Sequence, residues 1–314
     1  MKILITGSAG FLLGNFIRKA IYDQNQKKPQ DRHSFSSIDK INSNALNSMY
    51  WNKNHTFYIA DIRDPHIINV IFQFEQPDIV IHGAAETSSS NDFLSCNVLG
   101  TQSIIDACVK HKTKKLIYIS TDQVYGDHKD VETTTEDRLP NPRNLYASSK
   151  AAGEMLIKAA FETNNLNYNI VRVSNVFGPR QSMDKLIPKT IKSINDNTPI
   201  IIYDQGLQTR EWTYVADICS GLMTIVEKGQ NNEIYNLSAN YEFSNLEVVQ
   251  HVCNAMKTGH NLITFTDDPI KNRDFNLTTN TLKIKNLGWS PSYKFKEALQ
   301  ESLDWFNSNK WFIK

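Results

Sequence analysis

The chain has 314 residues, 40% hydrophobic and 21% charged, which is enough apolar material for a substantial core and excludes a disordered chain. Its 34 basic and 33 acidic residues nearly cancel, so no bulk charge draws it to nucleic acid or an anionic membrane, and anionic ligands must be held by local groups. Cys96, Cys108, Cys219 and Cys253 form neither a C-x-x-C pair nor a disulfide framework, no apolar run spans a bilayer, and the first strand begins at Lys2; the expectation is a cytoplasmic protein without a metal site.

Short β-rich runs alternate with longer helical patterns through the first half. Lys2–Thr6, Ser34–Asp39, Thr56–Ala60, Ile79–His82 and Leu116–Ser120 read as strands, with Tyr168–Val173 a further one. Phe11–Tyr22, Pro65–Glu75 and Phe93–Lys110 carry apolar residues at three- and four-residue intervals and read as helices. The alternation predicts an α/β fold with a doubly wound, parallel, Rossmann-type sheet covered on both faces. Gln24–His33 lacks apolar periodicity and reads as a solvent loop. After Pro179 the pattern loosens into short Pro- and Asn-punctuated segments, the mark of a smaller α+β unit. The closing helix, Phe295–Asn309, presents Phe295, Leu299, Leu303 and Phe306 to the body.

In Ile3–Phe11 a strand runs into glycines and then into a helix, the context that a phosphate-binding turn requires. Gly7 allows the tight turn, Gly10 the approach of backbone to a pyrophosphate, and the helix beginning at Phe11 turns its positive end to the anion. Asp39, ending the second strand, is placed to accept from an adenine ribose and to repel a 2′-phosphate, which favours NAD over NADP; the adjacent Lys40 works against that exclusion. Its distance from the glycines exceeds the usual ~20 residues because Gln24–His33 is inserted between them.

Ser120-Thr121-Asp122 stands at the carboxyl end of a strand, where open α/β sheets place ligands. Beyond it, Tyr146 and Lys150 share a helix face because four residues make about one turn. An ammonium beside a phenol favours the phenolate, so Tyr146 is expected to take a hydroxyl proton while the carbon beneath gives up hydride, with Thr121 steadying the alcohol.

With TGSAGF, ADIRD, HGAAET, CNVLGT, ISTDQVYG, YASSK, SNVFGPR, KLIP, TREWTYVAD and LGWSP in this order, the chain resembles the extended short-chain dehydrogenase/reductases over essentially its whole length. The resemblance is to their nucleotide-sugar epimerase and dehydratase branch, nearest to the dTDP-glucose 4,6-dehydratases. It implies NAD as cofactor, with Asp61 and Ile62 flanking the adenine and Ala84 and Ala85 lining the cofactor's path. It implies further that Tyr146 and Lys150 are the catalytic pair and that Asn175, Lys185, Leu186 and Arg210 hold the nucleotide diphosphate. Tyr203 would lie by the base and Arg273 would add a second cation. Residues 1–178 would form the dinucleotide-binding domain, with a return around 214–237, and 179–213 with 238–314 the nucleotide-sugar domain. A homodimer is implied as well, through pairing of Phe93–Lys110 and Tyr146–Phe161 in a four-helix bundle.

The pattern is broken in three places. Leu13 stands where the third glycine is expected, with Gly14 one residue late, so the helix should be displaced or begin differently. Thr87–Ser95 is shorter than the dehydratases' substrate loop. Gln123 stands where those enzymes have glutamate, and a carboxamide is no general base. The leading expectation is transient C4 oxidation followed by 4,6-dehydration of an NDP-hexose, with Asp122 as acid. Alternatives are a 4-epimerase, which needs no C5 base, a keto-sugar reductase, suggested by Pro140–Asn144, and a non-catalytic NAD or nucleotide-sugar binder.

Overall fold

The computed structural model describes residues 1–26, 28, 32–41, 55–87, 92–127, 133–269 and 274–313. Its largest element is a seven-stranded parallel sheet made from β1 (Lys2–Thr6), β2 (Ser34–Asp39), β3 (His55–Ile59), β4 (Ile79–His82), β5 (Lys115–Thr121), β6 (Tyr168–Val173) and, after three short strands, β10 (Glu233–Leu237). The order is β10-β6-β5-β4-β1-β2-β3, so the winding reverses between β1 and β4, both of which carry crossovers outward. A parallel sheet covered on both faces needs apolar side chains on both, and β4 (burial continuous over all four residues) and β6 (over all six) have them.

Helices α1 (Phe11–Asn25), α2 (Pro65–Glu75), α3 (Thr101–Lys110), α4 (Leu145–Asn164) and α6 (Val215–Lys228) flank this sheet, α5 (Leu186–Asn195) preceding α6 in the chain. Two apolar layers result. One gathers Ile3, Ile5, Phe16 and Ile17 with residues of α6, and the other gathers Leu4, Val80, Ile104 and Ile157 on the opposite face. Asp64 caps α2 by accepting from His66 N and Ile67 N, and Pro65 follows at the first helical position, where its missing N–H costs nothing.

The remaining strands form smaller sheets. Strand β9 (Thr209–Tyr214) is flanked by β11 (Glu242–Ser244) and β13 (Asn276–Leu277) and pairs with β7 (Asn175–Phe177), while β8 (Ile200–Tyr203) pairs with β12 (Ile263–Thr266). Helices α7 (Asn245–Ala255), α8 (Leu282–Lys285), α9 (Phe295–Ser308) and α10 (Lys310–Ile313) complete the chain, and Phe295, Leu299, Leu303 and Phe306 of α9 are buried as the apolar spacing requires.

Two expectations are corrected. The first helix runs to Asn25, and Gln24 is buried, its Oε1 accepting from His33 N at 2.8 Å; part of the polar stretch Gln24–His33 is therefore tied down rather than left to solvent. Phe93–Lys110 is not one regular helix: Phe93–Gly100 is wound as a π-helix and α-helical geometry begins at Thr101. Such wide turns are rare and concentrate at functional sites. Among the described residues no helix is long and apolar enough to cross a membrane.

Candidate active site

At the end of β1 the chain turns on Gly7, whose φ is +82°, and a Cβ there would lie 2.6 Å from Ala84 N and 2.7 Å from Gly83 C. Only glycine fits. Gly10 precedes α1 in an extended conformation, a Cβ on it would meet Gly7 O at 3.1 Å, and no described side chain caps the helix, whose positive end therefore faces the turn. The helix begins at Phe11, so Leu13 has not shifted its start. Asp39 arrives beside the turn from β2, its Oδ2 accepting from Ala9 N at 2.7 Å, and burial raises its carboxyl to about 6. Asp61 follows β3 and is held by the Arg63 guanidinium (Nε 3.0 Å to each oxygen), which keeps its carboxyl below the usual range. Ile62 is buried against Gly100, and Ala84 donates its N–H to Thr6 Oγ1 at 3.2 Å, with Ala85 next to it half-buried. A turn that a Cβ would fill, beside a strand-end carboxylate at the switch between β1 and β4, is a cradle of the kind a dinucleotide pyrophosphate occupies.

The second group of side chains stands where β5 ends. Thr121 Oγ1 donates to Asp122 Oδ1 at 3.1 Å and accepts from Gln123 N at 3.3 Å. Asp122 is 1% exposed, its Oδ2 has no hydrogen-bond partner among the described residues, and burial followed by the charge of Glu211 pushes its carboxyl up to about 7. Near neutral pH it therefore holds a proton much of the time. Gln123 is oriented by Asn144, whose Nδ2 donates to Gln123 Oε1 at 3.2 Å while its Oδ1 accepts from Ala147 N at 2.8 Å and caps α4.

Tyr146 and Lys150 follow on the first two turns of that helix, Tyr146 half-buried with the Phe93 ring 6.2 Å away and Lys150 fully buried with Nζ 4.1 Å above the Tyr118 ring. The expected lowering of the phenol by the ammonium is not what the geometry gives. Desolvation, and after it the charge of Asp122, raises Tyr146, while burial lowers Lys150 to about 7 against the opposing pull of Glu154. Both groups are driven toward their neutral forms because they share a desolvated site.

Three features escaped the sequence reasoning. Asn97, in the π-helical segment, donates to Glu86 O and Ser149 Oγ (2.9 Å each) and accepts from Glu86 N at 2.7 Å, joining the β4 loop to the tyrosine helix. Glu154 extends the Tyr146–Lys150 register by another turn and is fully buried, forked by Arg172 (Nε 3.0 Å, Nη2 2.6 Å) and accepting from Ser120 Oγ at 2.6 Å. A glutamate in register with Tyr146 and Lys150 was the available signal for it. Glu211 is also buried, accepting from Asn240 and Thr279 (2.6 Å each), and nothing in its spacing announces its nearness to Asp122.

Residues 3–238 match the NAD dependent epimerase/dehydratase family. The chain belongs to that family. It is an NAD-dependent epimerase/dehydratase-type enzyme with the family's parallel sheet. It is 32% identical to the dTDP-D-glucose 4,6-dehydratase of Bos taurus, over 98% of this chain and 89% of that one. It is equally 32% identical to a low-salt glycan biosynthesis protein of Haloferax volcanii, over 98% of both chains. The crystal structure of dTDP-glucose 4,6-dehydratase from Bacillus anthracis in complex with NAD superposes with a TM-score of 0.91 over the full length of both chains at 29% identity.

In this epimerase/dehydratase the residues expected at the nucleotide sugar lie on the smaller sheets and on α5. Asn175 opens β7 and pairs with Trp212 of β9, two residues from Arg210. Arg210 donates to three backbone carbonyls, Thr209 and Asp274 at 2.6 Å and Phe275 at 3.2 Å. Lys185 precedes α5 with Nζ 3.0 Å from Asp184, Leu186 is the first residue of that helix, and Tyr203 closes β8. Arg273 and residues 88–91 of the Thr87–Ser95 loop lie outside the described residues.

Proposed function

We propose that this enzyme oxidises a nucleotide-linked hexose at C4 and then eliminates water across C5 and C6. The observation that carries the reading is Asp122: a buried carboxyl with one unpartnered oxygen, raised to about 7, beside the tyrosine helix. A group still protonated near neutrality is suited to giving its proton to a departing C6 hydroxyl. Dehydratase relatives spanning the chain support it.

NAD would be held by Gly7, Gly10 and Phe11 at the turn, by Asp39 at the ribose, by Asp61 and Ile62 at the adenine, along Ala84 and Ala85, and by Tyr146 and Lys150. When bound, it supplies the acceptor for hydride and later the donor. Tyr146 exchanges the proton of the C4 hydroxyl, Lys150 provides positive charge on the same helix face while the pH is below about 7, and Thr121 hydrogen-bonds the alcohol oxygen. The ketone so formed acidifies the proton at C5. Gln123 cannot take that proton, so dehydration passes it to solvent water while Asp122 protonates the departing C6 hydroxyl and hydride returns to C6. The lack of a carboxylate there favours one second reading, 4-epimerisation, in which the ketone accepts hydride on its other face and no C5 base is needed. Asn175, Lys185, Leu186 and Arg210 would hold the diphosphate, Tyr203 the base, and Arg273 an additional phosphate oxygen. Exposed Leu94 and Leu99 of the π-helical segment and Leu145 and Met155 of α4 support a homodimer, and we place the enzyme in the cytoplasm.

The test is to incubate the enzyme in deuterated water with UDP-, dTDP-, GDP- and CDP-hexoses and identify products by mass and NMR. Dehydration gives a 4-keto-6-deoxy sugar with deuterium at C5. Inversion at C4 without C5 exchange selects the second reading, and neither outcome removes both.

A further inference from the structure

In dinucleotide-binding turns the third glycine serves close packing of the first helix on the sheet. Here that position is Leu13, 2% exposed in the core with Ile5, Phe16, Ile17, Ile81 and Ile119. The missing space reappears across the contact. A Cβ built on Gly83, the residue that follows β4, would lie 2.4 Å from Leu13 Cδ1 and 3.2 Å from its Cγ. Gly83 is not among the glycines in the left-handed region, so its backbone conformation does not demand glycine; the neighbouring leucine does.

We propose that Gly83 is a positioning residue for NAD, supplying from β4 the clearance that the turn lacks at Leu13, and that the two residues form one coupled pair. Gly83 is bonded into the turn it protects. Its N–H donates to Thr6 O at 3.1 Å, and its carbonyl carbon lies 2.7 Å from where a Gly7 Cβ would stand. A methyl group at position 83 must therefore push either Leu13 and the first turn of α1, which carries the helix end facing the pyrophosphate, or the Gly83–Ala84 backbone against Gly7. Leu13 has little room to yield because it is enclosed, and overpacked cores relieve themselves by moving backbone. Either movement spoils the cradle without touching Tyr146 or Asp122.

The test uses cofactor-free protein and reads NAD affinity by calorimetry beside a thermal melt, independent of which sugar is the substrate. Gly83→Ala should weaken NAD binding about tenfold or more, Leu13→Ala should leave it within about threefold, and the double variant should restore it to within about threefold of the wild type. A Gly83→Ala protein that melts earlier but binds NAD as the wild type does would make Gly83 a packing residue only and overturn the proposal, as would a double variant no better than the single one. Should Gly83→Ala fail to fold, a double variant that folds and binds NAD upholds the coupling, and one that does neither refutes it.

Discussion

Replacing Asp122 with asparagine should remove the acid and stabilise the protein at the same time. The rise of its carboxyl from 3.8 to about 7 means that the ionised side chain costs the folded state about 4 kcal/mol once the pH lies above both values. The sign follows from the direction: with the folded value raised, the wild type has its full stability from this group below 3.8 and loses it as the pH climbs through about 7. The substituted carboxamide keeps the acceptor for Thr121 Oγ1 but puts an unpartnered N–H where Oδ2 was, a penalty of about 1–3 kcal/mol at any pH. Asp122→Asn should therefore gain about 1–3 kcal/mol at about pH 8, with roughly 2 kcal/mol of that advantage gone at about pH 5.5. Urea unfolding of both proteins at the two pH values measures this, and product analysis should show dehydration reduced ~10²–10⁴-fold. Parallel pH dependences in the two proteins would refute the claim that Asp122 is a buried neutral acid.

Tyr146→Phe keeps the ring beside Phe93 and removes the hydroxyl, so every activity that begins by oxidising an alcohol should collapse, which cofactor reduction in a single turnover would reveal. Gln123→Glu retains an oxygen for Asn144 Nδ2 and supplies the missing base; the variant should release, or release ~10²–10⁴ times faster, a 4-keto-6-deoxy product detectable by NMR. Because burial lowers Lys150 to about 7, its positive charge is lost as the pH rises through that value and the oxidation rate should fall on the alkaline side; Lys150→Arg should move the fall to higher pH in a rate profile.

The sheet was legible because its strands are short apolar runs between amphipathic helices, a pattern that survives with ends shifted by one residue: Thr56–Ala60 became His55–Ile59 and Leu116–Ser120 became Lys115–Thr121. The π-helical winding of Phe93–Gly100 was not legible, since apolar spacing of three and four does not distinguish the two windings over so few residues. The turn and the tyrosine helix could be read because their chemistry is local in sequence. The partnership of Leu13 with Gly83, the pull of Glu211 on Asp122 and the burial that reverses the direction of the Tyr146 shift all join residues distant in the chain, and only packing creates them. The same burial shows why an i, i+4 ammonium is insufficient reason to expect a phenolate.

Asn144 joins the beginning of the tyrosine helix to Gln123, the residue on which the proposed choice between dehydration and epimerisation turns. Its amide nitrogen is satisfied equally by a carboxamide or a carboxylate oxygen, and glutamine and glutamate codons differ by one nucleotide. If the proposed role of position 123 holds, descendants of this scaffold would exchange the chemistry of the second step in one mutational event while the helix cap, and with it the phenol, stays where it was. Diversification of product would then begin at position 123 rather than in the sugar-binding loops, and chains of this kind carrying either residue should be found with the asparagine beside it unchanged.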